Sequence, residues 1–395
     1  MTELVARSVD LKRELVAFAQ HPRFTKALRT AVSRLPAGRI RDEADKVNLL
    51  DSFVIGHRLP DGRTLIDSFV ATRRDLGERE REMLLGWRDP VEGLFEVQRR
   101  DDQVLLLLNL VDELTYRVHS NMGTAIFAKM PPRSFVMTRL VPVGGDWLFS
   151  GRQRLVRASA RREVARLVAE LSLESPALVF RNPEKLKRAW ELQRGERERF
   201  IDFFGADLII LSRDERDERL QAYWTFRDRE AAGGKPSPGW TPSRHRNQRS
   251  PAPGPLPFGL DDLPDSDTVG VIFDETEGLS FFLDFGLVAE VFDRPELVTA
   301  PRHRRVVRGY LDDESVSPLA FRRLAERDPS AASRVFQLLL KRPAFVWEAD
   351  GEALLRRHKA ACYARTILPR VTPVSGIALE YYRPKGRAWI GGIWR

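Results

Sequence analysis

Between residues 3 and 89, apolar positions recur at steps of three and four, the spacing of helices with one buried face. Leu4, Val5, Leu11, Leu15, Phe18 and Ala19 form the first such stripe. Phe24, Leu28 and Val32 resume it after Pro22, whose ring interrupts a helix, and Val47, Leu50, Phe53 and Val54 form another. Leu59-Pro60-Asp61-Gly62-Arg63 predicts a turn, because Pro presets φ and Gly takes the left-handed position. Thr64 is placed to cap a helix beginning at Leu65. A further helix, from about Gly77 to Trp87, ends before Asp89-Pro90.

From Val91 the period shortens to two. Gly93 to Val97, Gln103 to Leu110, Leu114 to Val118, Ser134 to Val143 and Trp147 to Gly151 read as five short strands. Turn residues punctuate them at Arg100-Asp101-Asp102, Val111-Asp112-Glu113 and Val143-Gly144-Gly145-Asp146. So many short strands in so short a stretch predict a small closed barrel of OB or SH3-like size.

Helical spacing returns from Arg157 to Leu171, Pro183 to Phe204 and Glu215 to Arg229, with an apolar strand at Ala206 to Leu211. Residues 231–265 are rich in Pro, Gly, Ser and Arg and predict a flexible or polyproline-like segment. Beyond it, Thr268 to Phe273 and Leu279 to Phe285 predict a hairpin, and Thr268 to Phe273 is also the nearest partner for the lone strand before the segment. Helices are expected near Arg302 to Leu311, Pro318 to Glu326, Ser330 to Leu340 and Gly351 to Ala364, and an irregular tail from Thr366. The fold class is α+β. A helical region spans 1–89 and a five-stranded barrel 90–156; a mixed domain spans 157–395, interrupted by the insertion at 231–265.

Composition narrows the function classes. The 395 residues are 43% hydrophobic and 31% charged, as in folded chains rather than disordered ones. The apolar run Val104 to Leu110 is strand-sized, well short of the roughly 20 residues a membrane helix needs. The opening Met1-Thr2-Glu3-Leu4 lacks the basic start of a signal peptide, so a cytoplasmic protein that does not engage membranes is expected. A single cysteine, Cys362, excludes an internal disulfide and a cysteine-built zinc site.

Catalytic and cofactor signatures are missing from the sequence. No two of His21, His57, His119, His245, His303 and His358 stand four apart, and only His119, after a strand, is a candidate for chemistry. Phosphate-cradling glycine loops and the Gly-x-Ser-x-Gly elbow do not occur. The acidic groups Asp112-Glu113, Asp274 to Glu277 and Asp312 to Glu314 fall at turns or helix starts and read as solvated turn chemistry. No cofactor and no metal are expected.

The positive charge carries more. Net charge is +9, mostly from arginine, which also accompanies GC-rich genomes. Arg99, Arg100, Arg139, Arg152, Arg154 and Arg157 fall at edges of the expected barrel, where Tyr116, Phe127 and Trp147 either fill the core or stack bases. Arg302, Arg305 and Arg308 share one helical face. The favoured reading is a non-enzymatic protein that binds nucleic-acid backbones through these side chains. The alternative is a protein–protein module using the Pro/Arg segment and the aromatic tail. An enzyme with a site built from scattered residues is the third.

A resemblance adds context. His57-Arg58-Leu59-Pro60-Asp61-Gly62-Arg63-Thr64-Leu65-Ile66, Gly93-Leu94-Phe95-Glu96-Val97, Arg139-Leu140-Val141-Pro142-Val143, Phe203-Phe204-Gly205-Ala206-Asp207 and Gly351-Glu352-Ala353-Leu354-Leu355-Arg356-Arg357 resemble segments of uncharacterised bacterial proteins that often carry a SEC-C zinc-binding tail. The clustered Cys and His of that tail are not in this sequence, so the resemblance implies no zinc role and transfers no catalytic residue. Replacing residues 231–265 with a short Gly/Ser linker is expected to leave the melting temperature nearly unchanged in calorimetry, because a segment of this composition buries little apolar surface. A large drop would show that it packs.

Overall fold

The helical stripes of the N-terminal region form α1 (Thr2–Ala19), α2 (Thr25–Ser33), α3 (Glu43–Gly56), α4 (Leu65–Thr72) and α5 (Glu78–Gly86). Thr64 starts α4 through a capping box: its Oγ1 accepts from Asp67 N at 3.1 Å, and Asp67 Oδ2 accepts from Thr64 N at 2.9 Å. The structure, a computed structural model, describes residues 2–33, 42–59, 61–101, 103–120, 123–231, 266–382 and 393–394. The insertion expected at 231–265 lies outside the described residues, apart from Ala231.

Five strands follow: β1 (Val91–Arg100), β2 (Leu105–Asn109), β3 (Thr115–His119), β4 (Phe135–Val143) and β5 (Asp146–Val156). β1 pairs with both β2 and β4, β2 with β3 and β4 with β5, all antiparallel. A short parallel pairing, Val118 with Trp147 and His119 with Leu148, joins β3 to β5. The order β1-β2-β3-β5-β4 therefore closes on itself. Period-two alternation then sorts the side chains. Phe95, Val97, Leu105, Leu107, Val118, Leu140 and Phe149 fill the inside, while Val141, Val143 and Leu148 face out and pack under Leu11, Leu15, Phe53, Phe69 and Trp87 of the helices.

Next come α6 (Arg161–Glu174), α7 (Pro176–Val179) and α8 (Pro183–Phe204), then β6 (Leu208–Ser212) and α9 (Arg213–Ala231). After the insertion lie β7 (Thr268–Asp274), β8 (Gly278–Leu283), α10 (Phe285–Asp293), α11 (Pro301–Asp312), α12 (Leu319–Ala325), α13 (Pro329–Leu340), α14 (Trp347–His358), α15 (Ala360–Ala364), β9 (Val371–Thr372), α16 (Gly376–Tyr382) and β10 (Ile393–Trp394). The chain divides into two units, Met1–Lys185 with Val374–Trp389, and Leu186–Pro373 with Ile390–Arg395. In the second, β6 and β7 pair across the insertion, Leu208 opposite Ile272, as their composition suggested, and β8 completes a three-stranded antiparallel sheet. Val269, Val271 and Phe273 pack with Phe200, Tyr223 and Trp224 of α8 and α9. On the other face, Gly270 leaves room for the ring of Phe285; a Cβ there would stand 2.4 Å from it.

The tail from Thr366 is more ordered than expected. It contributes α16, which packs on α6 within the first unit and buries Ile377 and Ala378. The expected hairpin strand to Phe285 also stops early. Asp284 turns the backbone left-handed at φ 55°, and α10 begins.

One polar cluster ties the N-terminal helices to the closed sheet. Asp51 of α3 is 4% exposed. Its carboxylate takes Lys12 Nζ at 2.6 Å, an Arg139 guanidinium nitrogen at 2.7 Å and the Ser150 hydroxyl at 2.9 Å. Gly151 (φ +71°) lets α3 approach; a Cβ there would lie 2.6 Å from Asn48 Oδ1 and 3.1 Å from Asp51 Oδ2. Burial alone would raise the Asp51 pKa, but Lys12, Arg139 and Ser150 together hold it below the ordinary value. The stability this contributes is present above the ordinary Asp value of 3.8 and is lost as pH falls from there through the folded value. Asp51→Ala would leave two cations buried without their shared anion, and chemical denaturation is expected to show a loss of about 3–5 kcal/mol. A loss within the ordinary surface range, about 0.5 kcal/mol, would contradict this role.

Candidate nucleic-acid interface

The strand register gathers one group of cations. Arg100 pairs with Leu105, Leu105 with Val118, Glu96 with Phe135, and Phe135 with Val156. The end of β3 pairs with the start of β5, at Trp147 and Leu148, while the end of β1, the start of β4 and the end of β5 lie side by side at one rim of the closed sheet. Arg99 and Arg100 reach it on β1, and Arg154 and Arg157 on and just after β5; all four are exposed. The connection from β3 to β4 adds exposed Lys129 and Arg133. It is fixed there because Arg133 N donates to Val97 O at 2.8 Å and Val97 N donates to Ser134 O at 2.9 Å.

The register sets Arg154 across β4 from Leu94, and Arg157, one residue past Val156, just beyond the level of Glu96. Arg99 pairs with Asp101 at 2.9 Å. Arg100, Lys129, Arg133, Arg154 and Arg157 make no ion pair among the described residues.

The other expected arginines are placed differently. Arg139 is engaged by Asp51, by Glu92 and, at 2.8 Å, by the Ser52 hydroxyl. Arg152 meets Asp45 at 2.5 Å and Asp42 at 3.4 Å. Both are engaged by carboxylates of α3 or its N-cap, Arg139 largely buried and Arg152 with its side chain 41% exposed. Arg302, Arg305 and Arg308 belong to α11 of the second unit. There Arg302 pairs with Asp267, Arg308 with Asp312 at 2.7 Å, and Arg305 is exposed.

Base stacking has little to work with at this end. Tyr116 and Phe127 are core residues, and Trp147 packs edge-on to Tyr116, with ring centroids 5.1 Å apart. His119 Nε2 lies 2.7 Å from Asp146 Oδ2, which Arg117 Nε also approaches at 3.2 Å; this trio sits where β3 meets β5. Asp112, expected in a solvated turn, is instead fully buried. It accepts from Leu114 N at 2.8 Å, the Tyr116 hydroxyl at 2.7 Å and Asn109 Nδ2 at 3.0 Å, and burial raises its pKa. No group of His, Cys, Asp and Glu suited to a metal ion occurs among the described residues, nor does a helix long and apolar enough to cross a membrane.

Sequence reasoning missed Lys129 and Arg133. Their only local signal is Pro131-Pro132, which marks a turn; nothing short of the strand register shows which strands that turn borders. The Pro/Arg segment after Ala231, and residues 383–392 and 395 of the aromatic tail, on which a protein-partner reading rests, lie outside the described residues. In class the chain is a mixed α+β protein with a closed five-stranded sheet and a separate three-stranded one. No protein family, curated protein or solved structure matches it, so the resemblance to SEC-C-associated proteins rests on its quoted residues alone.

Proposed function

We propose that the closed sheet is an OB-type barrel and that its basic end binds the phosphate backbone of nucleic acid without catalysis and with little choice of sequence. The observation carrying this reading is the convergence of Arg100, Lys129, Arg133, Arg154 and Arg157 from three separate segments on one end of the sheet, without carboxylate partners among the described residues. Placing β5 between β3 and β4 gives a five-stranded Greek-key closure, the architecture of OB barrels, which supports the barrel assignment. Guanidinium forks match phosphate oxygens in pairs. With Tyr116 and Phe127 in the core, such contacts position a strand but do not read its bases.

Neutralising phosphates releases counterions, so five contacts imply a log–log salt slope of about −3.5 on a single strand and about −4.5 on duplex. Fluorescence anisotropy with a labelled oligonucleotide of mixed sequence, single-stranded and duplex, measures it. Changing Arg133, Arg154 and Arg157 together to Gln is expected to weaken binding to every sequence alike and to flatten the slope. Changing the exposed Arg29, Arg74 and Arg79 of the N-terminal helical region to Gln removes the same charge and is expected to do much less. Equal effects of the two triple variants would overturn the site, and no binding at low salt would overturn the function.

A further inference from the structure

The C-terminal helix α16 bears on the same surface. Arg161, at the first turn of α6, follows Arg157 across the single turn Ala158–Ala160, so it continues directly from the end of β5. Arg161 differs from its neighbours in having a carboxylate partner from far along the chain. Its Nε donates to Glu380 Oε2 at 3.0 Å and its second nitrogen to Glu380 Oε1 at 2.8 Å, a two-pronged fork. Glu380 belongs to α16, which packs on α6; Ile377 and Ala378 of α16 and Val164, Ala165, Val168 and Ala169 of α6 are all buried. At the other end of α16, Glu113 Oε1 accepts from Gly376 N at 3.1 Å.

We infer that Arg161 is a further phosphate-binding residue of this interface and that α16 is an autoinhibitory latch, its Glu380 carboxylate occupying the fork that a phosphate would take. This rests on the nucleic-acid reading above. A phosphate offers the guanidinium the same bidentate geometry as a carboxylate. The pair is roughly half exposed on both sides, 52% and 44%. Exposed pairs of this kind are worth about 0–1 kcal/mol, so exchange of one anion for the other is reversible. The exchange needs only the half-exposed Glu380 side chain to leave Arg161, while Ile377 and Ala378 of α16 stay buried.

Glu380→Gln in the full chain, titrated with a fluorescent single-stranded oligonucleotide, tests the latch. One more phosphate contact is expected to steepen the salt slope by about 0.7 and tighten Kd several-fold at about 50 mM salt. The same change in an Arg161→Ala background is expected to do neither, and Glu163→Gln, an equal change of charge on α6, is expected to leave the slope as in the parent. An unchanged slope in Glu380→Gln, in a parent protein that does bind, overturns the latch and leaves the interface standing. An equal gain in the Arg161→Ala background also overturns it, because the effect is then general charge. Absence of binding by both parent and Glu380→Gln overturns the interface and the latch together.

Discussion

A buried carboxylate must be matched by cations and donors or it costs several kcal/mol to desolvate, and Asp51 meets that constraint with Lys12, Arg139 and Ser150. These partners come from α1, β4 and β5, so satisfying one anion fixes where the helical layer sits on the closed sheet. Gly151 follows from it, because any side chain there would strike Asn48 and Asp51. The same constraint sorts the arginines. Arg139, and then Arg152 through Asp42 and Asp45, are drawn to the helical layer, and the cations beyond α3 remain open to solvent.

Closure of the sheet does the rest of the sorting. Because β4 lies between β1 and β5, the end of β5 comes alongside the start of β4 and the later half of β1. Segments as far apart in sequence as Val97 to Arg100 and Arg154 to Arg157 thereby flank the start of β4. At the junction of β3 and β5, Asp146 receives both His119 and Arg117. His119 therefore reads as a closing contact between strands rather than as a reactive group.

Much of the fold was legible in local pattern. The period change at Val91, the Thr64 cap and the β7 partner for β6 all come from residues whose conformational preferences act within a few positions. Arg139 and Arg154 show where local pattern stops. Both lie on strands of the same sheet and look equivalent in sequence, yet one is claimed by Asp51, 88 positions away, and the other has no ion pair among the described residues. Asp112 was misjudged for a related reason: a turn usually leaves its carboxylate in water, but here Asn109, Leu114 and Tyr116 surround it. α16 was missed because its docking surface is α6, some two hundred residues earlier, with which Glu380 bonds across a separation of 219.

If one end of the closed sheet, and not positive charge in general, meets nucleic acid, protection must be local. Amide hydrogen exchange of the full chain, with and without a single-stranded oligonucleotide at low salt, tests this most directly. Slowed exchange is expected to be confined to residues 97–101, 123–134 and 153–162, with α3 and α11 unchanged. Slowing centred on α11, or spread evenly over the basic residues of both units, would contradict it.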